Sequence, residues 1–474
     1  MAARVAARAA WLTPASDPKK PAPGGISPGG IARYQRRKFD VKRHLIALVG
    51  ALAVLLALGS GIAQAQSVQG VEQVAGTGQS ASSNASSTQT NPSNSNISVR
   101  IFSPGENGSV SQSNNSAAVS GAVNKAATTQ AVTQAGGGAG EQAAGQIALT
   151  GQKADSKATS EQYKPSNSNI SVRIHSEGND GDVEQSNNSL AGSLAANKAE
   201  TSQTVDQKQD GCGCPTGKKD HGSGGAGVQA VGQKAVTLQD AESDATSKQY
   251  SPSNENIGVR IHSPGKNGSV EQSNNSKALS FAGNLASTDQ SVTQSQSGCD
   301  CPGDRVQAVG QFALTGQKAD SDATSIQKGA KNVNAPVRIH SYGDDGKVEQ
   351  SNNSAALSAA INAAETTQYV DQSQRGCGCP APKKGHGGYD GHDGYDGHGG
   401  QGGARVQAVG QIALTGQKAD SDANSWQFWA SNTNAPVREK SYGGGGSVDQ
   451  SNNSFAGSLA LNLARTNQWV RQNQ

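Results

Sequence analysis

The sequence predicts an all-β protein of five repeats, each made of long alternating strands, and three observations lead there. First, alternate residues from Gln311 to Gln327 read Gln, Ala, Thr, Gln, Ala, Ser, Ala, Ser, Gln, and the same series stands at Gln73 to Gln89, Gln146 to Gln162, Gln233 to Gln249 and Gln411 to Gln427. Second, the residues between them drift: Val74, Ile147, Lys234, Phe312 and Ile412 share one position. Side chains on a strand alternate between two faces, and a helix cannot separate odd from even positions in this way. Third, a second alternating segment, from Gln350 to Gln372 in the fourth copy, is nearly the mirror image of the first. Read alone, Ala355 to Ala364 has helix propensity, but the alternating recurrence overrules it.

Five ungapped 67-residue units carry this pattern: 68–134, 141–207, 228–294, 306–372 and 406–472. Linkers of unequal length separate them, at 135–140, 208–227, 295–305 and 373–405, so the unit is the module of a repeat array. Residues whose positions sum to a constant meet in an antiparallel arrangement, which sets Gln307 by Gln372, Val309 by Val370, Gln317 by Asn362 and Ser321 by Ser358. The expectation is therefore strands antiparallel within each unit, with the units stacked as an elongated β-sheet or β-solenoid-like array. Meeting within one sheet and meeting across two packed sheets both satisfy the mirror. The segments are much longer than the usual strand of about 5–6 residues, so Gly310 and Gly316 are expected to bend them.

The middle of each unit joins the two segments. In the third copy Val259 to Val270 reads as a hairpin, with Pro264-Gly265 and Asn267-Gly268 as turn formers. Arg100, Arg173, Arg260, Arg338 and Arg438 share one position and are expected as solvated partners of a carboxylate, against a substrate-binding role. His175, His262 and His340 share another, with Phe102 and Lys440 in the outer copies, a pattern that suits ring stacking better than catalysis. The last unit is aromatic where the others are small, at Trp426, Phe428, Trp429, Phe455 and Trp469, which points to packing or docking.

Composition narrows the function. The chain has 474 residues with 60 Gly, 4% aromatic residues and a net charge of +3, so no charge excess marks a nucleic-acid binder. The N-terminus reads as an export signal over 1–65: Arg33, Arg36, Arg37, Lys38, Lys42 and Arg43 precede the apolar run Leu45 to Leu58, and Ala63-Gln64-Ala65 matches an A-x-A cleavage site. That run is shorter than the roughly 20 residues of a membrane span, so the mature chain is expected to be secreted or at the cell surface and to lack a span.

All six cysteines lie in C-x-C pairs between the repeats, Cys212/Cys214, Cys299/Cys301 and Cys377/Cys379, and an even count in an exported chain makes them disulfide candidates. A bridge within C-x-C is strained, which favours pairing between linkers or between molecules. The 208–227 and 373–405 linkers also bring Cys212, Cys214, His221, Cys377, Cys379, His386, His392 and His398 together as candidate ligands for Zn²⁺ or copper, against a plain Gly-rich spacer; no other cofactor is expected. There is no nucleophile motif, no nucleotide loop and no fixed carboxylate pair, so no enzyme is expected.

The alternating Gln/Asn/Ser/Ala segments resemble the repeats of curlin, the secreted bacterial amyloid subunit, over most of 68–472. Curlin repeats are shorter, run in direct tandem, and lack the mirrored halves and the cysteine linkers. The resemblance implies a self-associating fibre or matrix subunit. The leading expectation is thus an exported structural protein of a cell surface, coat or biofilm matrix, cross-linked through linker thiols. The alternative is an adhesin or metal-binding protein that acts through the aromatic last repeat or the Cys/His linkers.

Overall fold

In the computed structural model the described residues are 68–137, 140–210, 227–299, 304–377 and 404–474. Each repeat forms one rung of two long strands and a short one. The first holds β1 (Val68–Thr90), β2 (Ser93–Ile101) and β3 (Val110–Gly137); the second β4 (Glu141–Tyr163), β5 (Ser166–Ile174) and β6 (Val183–Asp210). The third has β7 (Gly227–Tyr250), β8 (Ser253–Ile261) and β9 (Val270–Cys299); the fourth β10 (Arg305–Lys328), β11 (Lys331–Ile339) and β12 (Val348–Cys377). The fifth has β13 (Arg405–Phe428), β14 (Ser431–Asn434), β15 (Val437–Glu439) and β16 (Val448–Asn473).

Backbone ladder hydrogen bonding runs between rungs, not within them. β1, β4, β7, β10 and β13 make one parallel sheet, which we call the first sheet, and β3, β6, β9, β12 and β16 a second; the short strands make a third. Every pairing is parallel and in register, so Gln317 lies on Gln239 and Asn362 on Asn284. This corrects the expectation of antiparallel strands within each unit. The two long strands of a rung do run in opposite directions, but they lie in different sheets that face each other. Val309 and Val370 share one apolar column, and Ser358 donates to the Ser321 carbonyl at 2.6 Å, so the mirrored halves meet face to face. The fold is a parallel, solenoid-like stack.

Two further expectations fall with it. β10 passes through Gly310 and Gly316 without interruption. Ladder bonds along its whole length hold it extended, and the missing side chains lie on the outer face. Nor is Val259 to Val270 a hairpin: β8 pairs with β5 and β11, and the Pro-Gly and Asn-Gly steps serve an arch that carries the chain to the facing sheet. The arch depends on Gly265, which has φ +136°, and whose added Cβ would lie 2.1 Å from the Gly178 carbonyl oxygen of the rung below.

Small inward residues let the sheets close. Ala118, Ala158, Ala191, Ala245, Ala278, Ala323 and Ala356 form one buried column, and a second runs through Ala154, Ala241, Ala319 and Ala360. Each buried methyl contributes only about 0.8 kcal/mol, so amides supply much of the rest. Gln152 donates to Gln79 at 2.8 Å, Gln239 to Gln152 at 2.7 Å, Gln317 to Gln239 at 2.7 Å and Gln417 to Gln317 at 2.6 Å. The second N–H of Gln317 crosses to the Ala363 carbonyl of the facing sheet at 2.9 Å. One side chain thus ties rung to rung and sheet to sheet, which is why glutamine recurs there and an apolar residue of its size does not. At about 1 kcal/mol net per bond, the dozens of bonds in such ladders add to what the thin apolar core supplies.

The short strand breaks only in the last rung. In rungs three to five the odd-numbered N–H groups of the short strands point back to the rung below, as Lys331 does to the Pro252 carbonyl and Ala435 to the Asn334 carbonyl. Even-numbered ones in rungs four and five point forward, and at 336 the residue is Pro, with no N–H to give. The fifth-rung strand therefore parts into β14 and β15 opposite Pro336.

Candidate functional site

Three features stand apart from the repeated packing: a buried arginine column, a ring column beside it, and the two open ends of the stack. The arginines are not solvated as expected. Arg173, Arg260 and Arg338 are among the most fully buried side chains of the described residues. Each bonds into its own arch and the arch below. Arg260 donates to Asn267 Oδ1 at 2.8 Å, to the Lys266 carbonyl at 2.7 Å, and to the Gly178 carbonyl one rung down at 2.8 Å.

Charge along this column is spaced by rung. The residue seven positions after each arginine is Asn107, Asp180, Asn267, Asp345 and Gly445 in turn. Asp180 accepts from Arg173 Nε at 2.7 Å and from Arg260 Nη2 at 2.8 Å; Asp345 bridges Arg338 and Arg438 in the same way. One carboxylate serves two guanidinium groups, and the intervening asparagines keep like carboxylates two rungs apart. Asn107 donates to Asp180 and Asn267 to Asp345, both at 2.7 Å. Burial alone would raise the Asp180 pKa, but Arg260 and Arg173 outweigh it and hold the carboxyl below its usual range. A cavity of about 390 Å³ runs beside this column, lined by Asn169, Asn256, Asp180 and Asp345 among others. Both Asp180 oxygens are already committed to arginine, so the column is a structural brace and not a catalytic pair.

The ring column follows at the end of the short strands. Phe102, His175, His262 and His340 stack with centroids 5.0, 4.8 and 4.9 Å apart, each with φ near +50°. Lys440 holds the fifth position. The spacing is that of adjacent strands, so the stack is set by register and needs no ligand.

The ends differ from the middle. Among the described residues nothing pairs with the outer edges of β1, β2 and β3, or with those of β13 to β16. Fifth-rung aromatics stand exposed there, Trp429 at 77% and Trp469 at 64%, as do Phe455 and Leu459. On the outer face of the second sheet Leu194, Leu279, Leu285 and Leu357 are also exposed, an apolar field that the drifting positions concealed in the sequence.

Of the predicted ligand set, Cys212, Cys214, His221, Cys379, His386, His392 and His398 lie outside the described residues, as does Cys301. Cys299 and Cys377 end β9 and β12. Among the described residues no cluster of three His, Cys, Asp or Glu has metal-binding geometry, and no helix is long and apolar enough to cross a membrane. Comparison with protein-family models, with curated proteins and with solved structures finds no match.

Proposed function

We propose that the chain is an exported structural subunit that adds copies of itself head to tail into a surface or matrix fibre. One observation carries this reading: every ladder is open at both ends and has a direction. In the glutamine column each rung donates to the one before it, so the first rung leaves a donor and the fifth an acceptor. In the Asn94 column the direction reverses, Asn94 donating to Asn167 and Asn332 to Asn432, and the ends are again complementary. Head-to-tail stacking continues each ladder, whereas head-to-head stacking sets donor against donor. A heterologous contact of this kind gives an open filament. Long flat edges of 23 and 28 residues are the ordinary template for strand addition. The ring column agrees, because Lys440 of one copy would meet Phe102 of the next as a cation on a ring face. Pro436 blunts only the short-strand edge.

Export rests on the basic and apolar leader and the A-x-A site, and linker cysteines not paired within the chain would supply cross-links between copies. A second reading, an adhesin, has its own observation in the exposed Trp429, Trp469 and Phe455.

Electron microscopy of the secreted protein, with seeded growth followed in solution, tests the fibre. Wild type is expected to form unbranched fibres with a meridional spacing of about 4.8 Å. Ala419→Pro with Ala460→Pro removes two N–H groups that face the open edge of the fifth rung, and that variant should stay folded yet not elongate. A wild type that stays monomeric at high concentration, or a folded proline variant that grows as fast, would reject the reading. Wild-type monomer that binds surfaces through its tryptophans would favour the adhesin.

A further inference from the structure

We infer that Cys299 and Cys377 form a disulfide that staples the third rung to the fourth. The two residues are the last of β9 and β12, and the parallel register sets them directly opposite each other, with Gly298 opposite Gly376 before them. Adjacent strands lie about 4.7–4.9 Å apart, inside the roughly 4.4–6.8 Å between Cα atoms that a disulfide spans. Cβ atoms at that spacing must approach by about half an ångström to reach disulfide distance. The position allows it, because each strand ends there in a linker and a glycine precedes each cysteine.

The competing pairings fit less well. In an extended chain Cys299 and Cys301 are about 6.6–7 Å apart at their Cα atoms, at the limit of the range, with parallel Cα–Cβ directions. Cys212 follows Asp210 by two residues as Cys299 follows its register partner Ser297, so it is the rival for Cys299. Among the described residues Cys299 and Cys377 are the two cysteines that stand in strand register, and the experiment below separates that pair from this rival. The inference concerns a single chain and holds whether or not copies stack.

The chemistry is thiol–disulfide exchange with a disulfide donor of the exporting compartment. One cysteine thiolate attacks a donor sulfur and expels a thiolate, giving a mixed disulfide. The second cysteine thiolate attacks the protein sulfur of that bond and expels the other donor thiolate. Two protein thiols are oxidised, one donor disulfide is reduced to two thiols, and the two protons go with them.

The test uses the full exported chain carrying Cys301→Ser and Cys379→Ser, so that each tryptic peptide from these linkers keeps one cysteine. After alkylation, a non-reducing digest read by mass spectrometry should give one cross-linked species joining the Cys299 and Cys377 peptides. Reduction should lower the melting temperature of wild type but leave Cys299→Ser with Cys377→Ser unmoved. Alkylated free thiols at both positions, a Cys212–Cys299 peptide, or a bridge between chains would each overturn the assignment.

Discussion

The third and fifth rungs carry nearly the same inward residues on nearly the same strands, yet they are not in the same state. Val292 is fully buried, while Val470, its counterpart two rungs on, is 50% exposed. Arg260 keeps 1% of its side chain in water and Arg438 keeps 21%. The difference teaches that a repeat here is not a domain with its own core. A rung is completed by the rungs above and below it, and an end rung is left half made. Stability in such an array is close to a sum of nearest-neighbour terms, so identical substitutions should cost according to rung.

Arginine offers the largest contrast. Arg260→Ala strips Asp180 of one partner and leaves the Gly178 and Lys266 carbonyls without their donor. Losing one member of a buried pair typically costs about 3–5 kcal/mol. Arg438→Ala, at the open end, should cost roughly 1 kcal/mol. Urea unfolding of the two variants under non-assembling conditions measures both, and equal losses would show that the fifth rung is as complete as the third.

Alanine gives a middle-sized contrast. Ala282 lies fully buried in the alanine column between the two sheets. Ala282→Leu should cost about 1–3 kcal/mol by overpacking and push the sheets apart locally. Ala460→Leu, in the same column at the exposed end, should change the melting midpoint little but slow any stacking of a further copy. A neutral Ala282→Leu would mean that the sheets are not tightly apposed.

Much of this contrast could be read from the sequence, and some could not. The two-residue rhythm identifies the inward face, because only inward residues must match their own kind above and below; Gln317 is buried and Lys318 is not. The mirror identifies the facing residues, Val309 with Val370 and Ser321 with Ser358. It does not identify the hydrogen-bonding partner, since opposed residues share a face equally well across one ladder or across two sheets. Nor does a shared arginine position reveal burial: a guanidinium reads as a surface group until the arch that surrounds it is known. The alternation of Asn107, Asp180, Asn267 and Asp345 was the available signal. A solvated partner would have no reason to alternate, but one carboxylate bridging two stacked rungs would.

Acid offers the smallest contrast, and it separates the column from the ladders. The Asp180 carboxyl is held below its ordinary value in the fold by Arg260 and Arg173, against the opposing effect of burial. A group whose folded pKa is depressed stabilises the fold above its unfolded pKa, and that stability is lost as pH falls through the folded value. Amide ladders do not titrate, so they should hold across the same range. The Asp180 contribution to wild-type stability should therefore be constant down to the ordinary carboxylate value near 3.8 and be lost as pH falls below it. Asp180→Asn places in the second rung the residue that the first and third already carry. It should be less stable at neutral pH, because two buried guanidinium groups lose their shared anion. It should also show a shallower acid limb in melting temperature against pH. An Asp180→Asn curve parallel to wild type below pH 3.8 would mean that the bridge between the second and third rungs carries none of the acid sensitivity, and that the column is held by its carbonyl contacts alone.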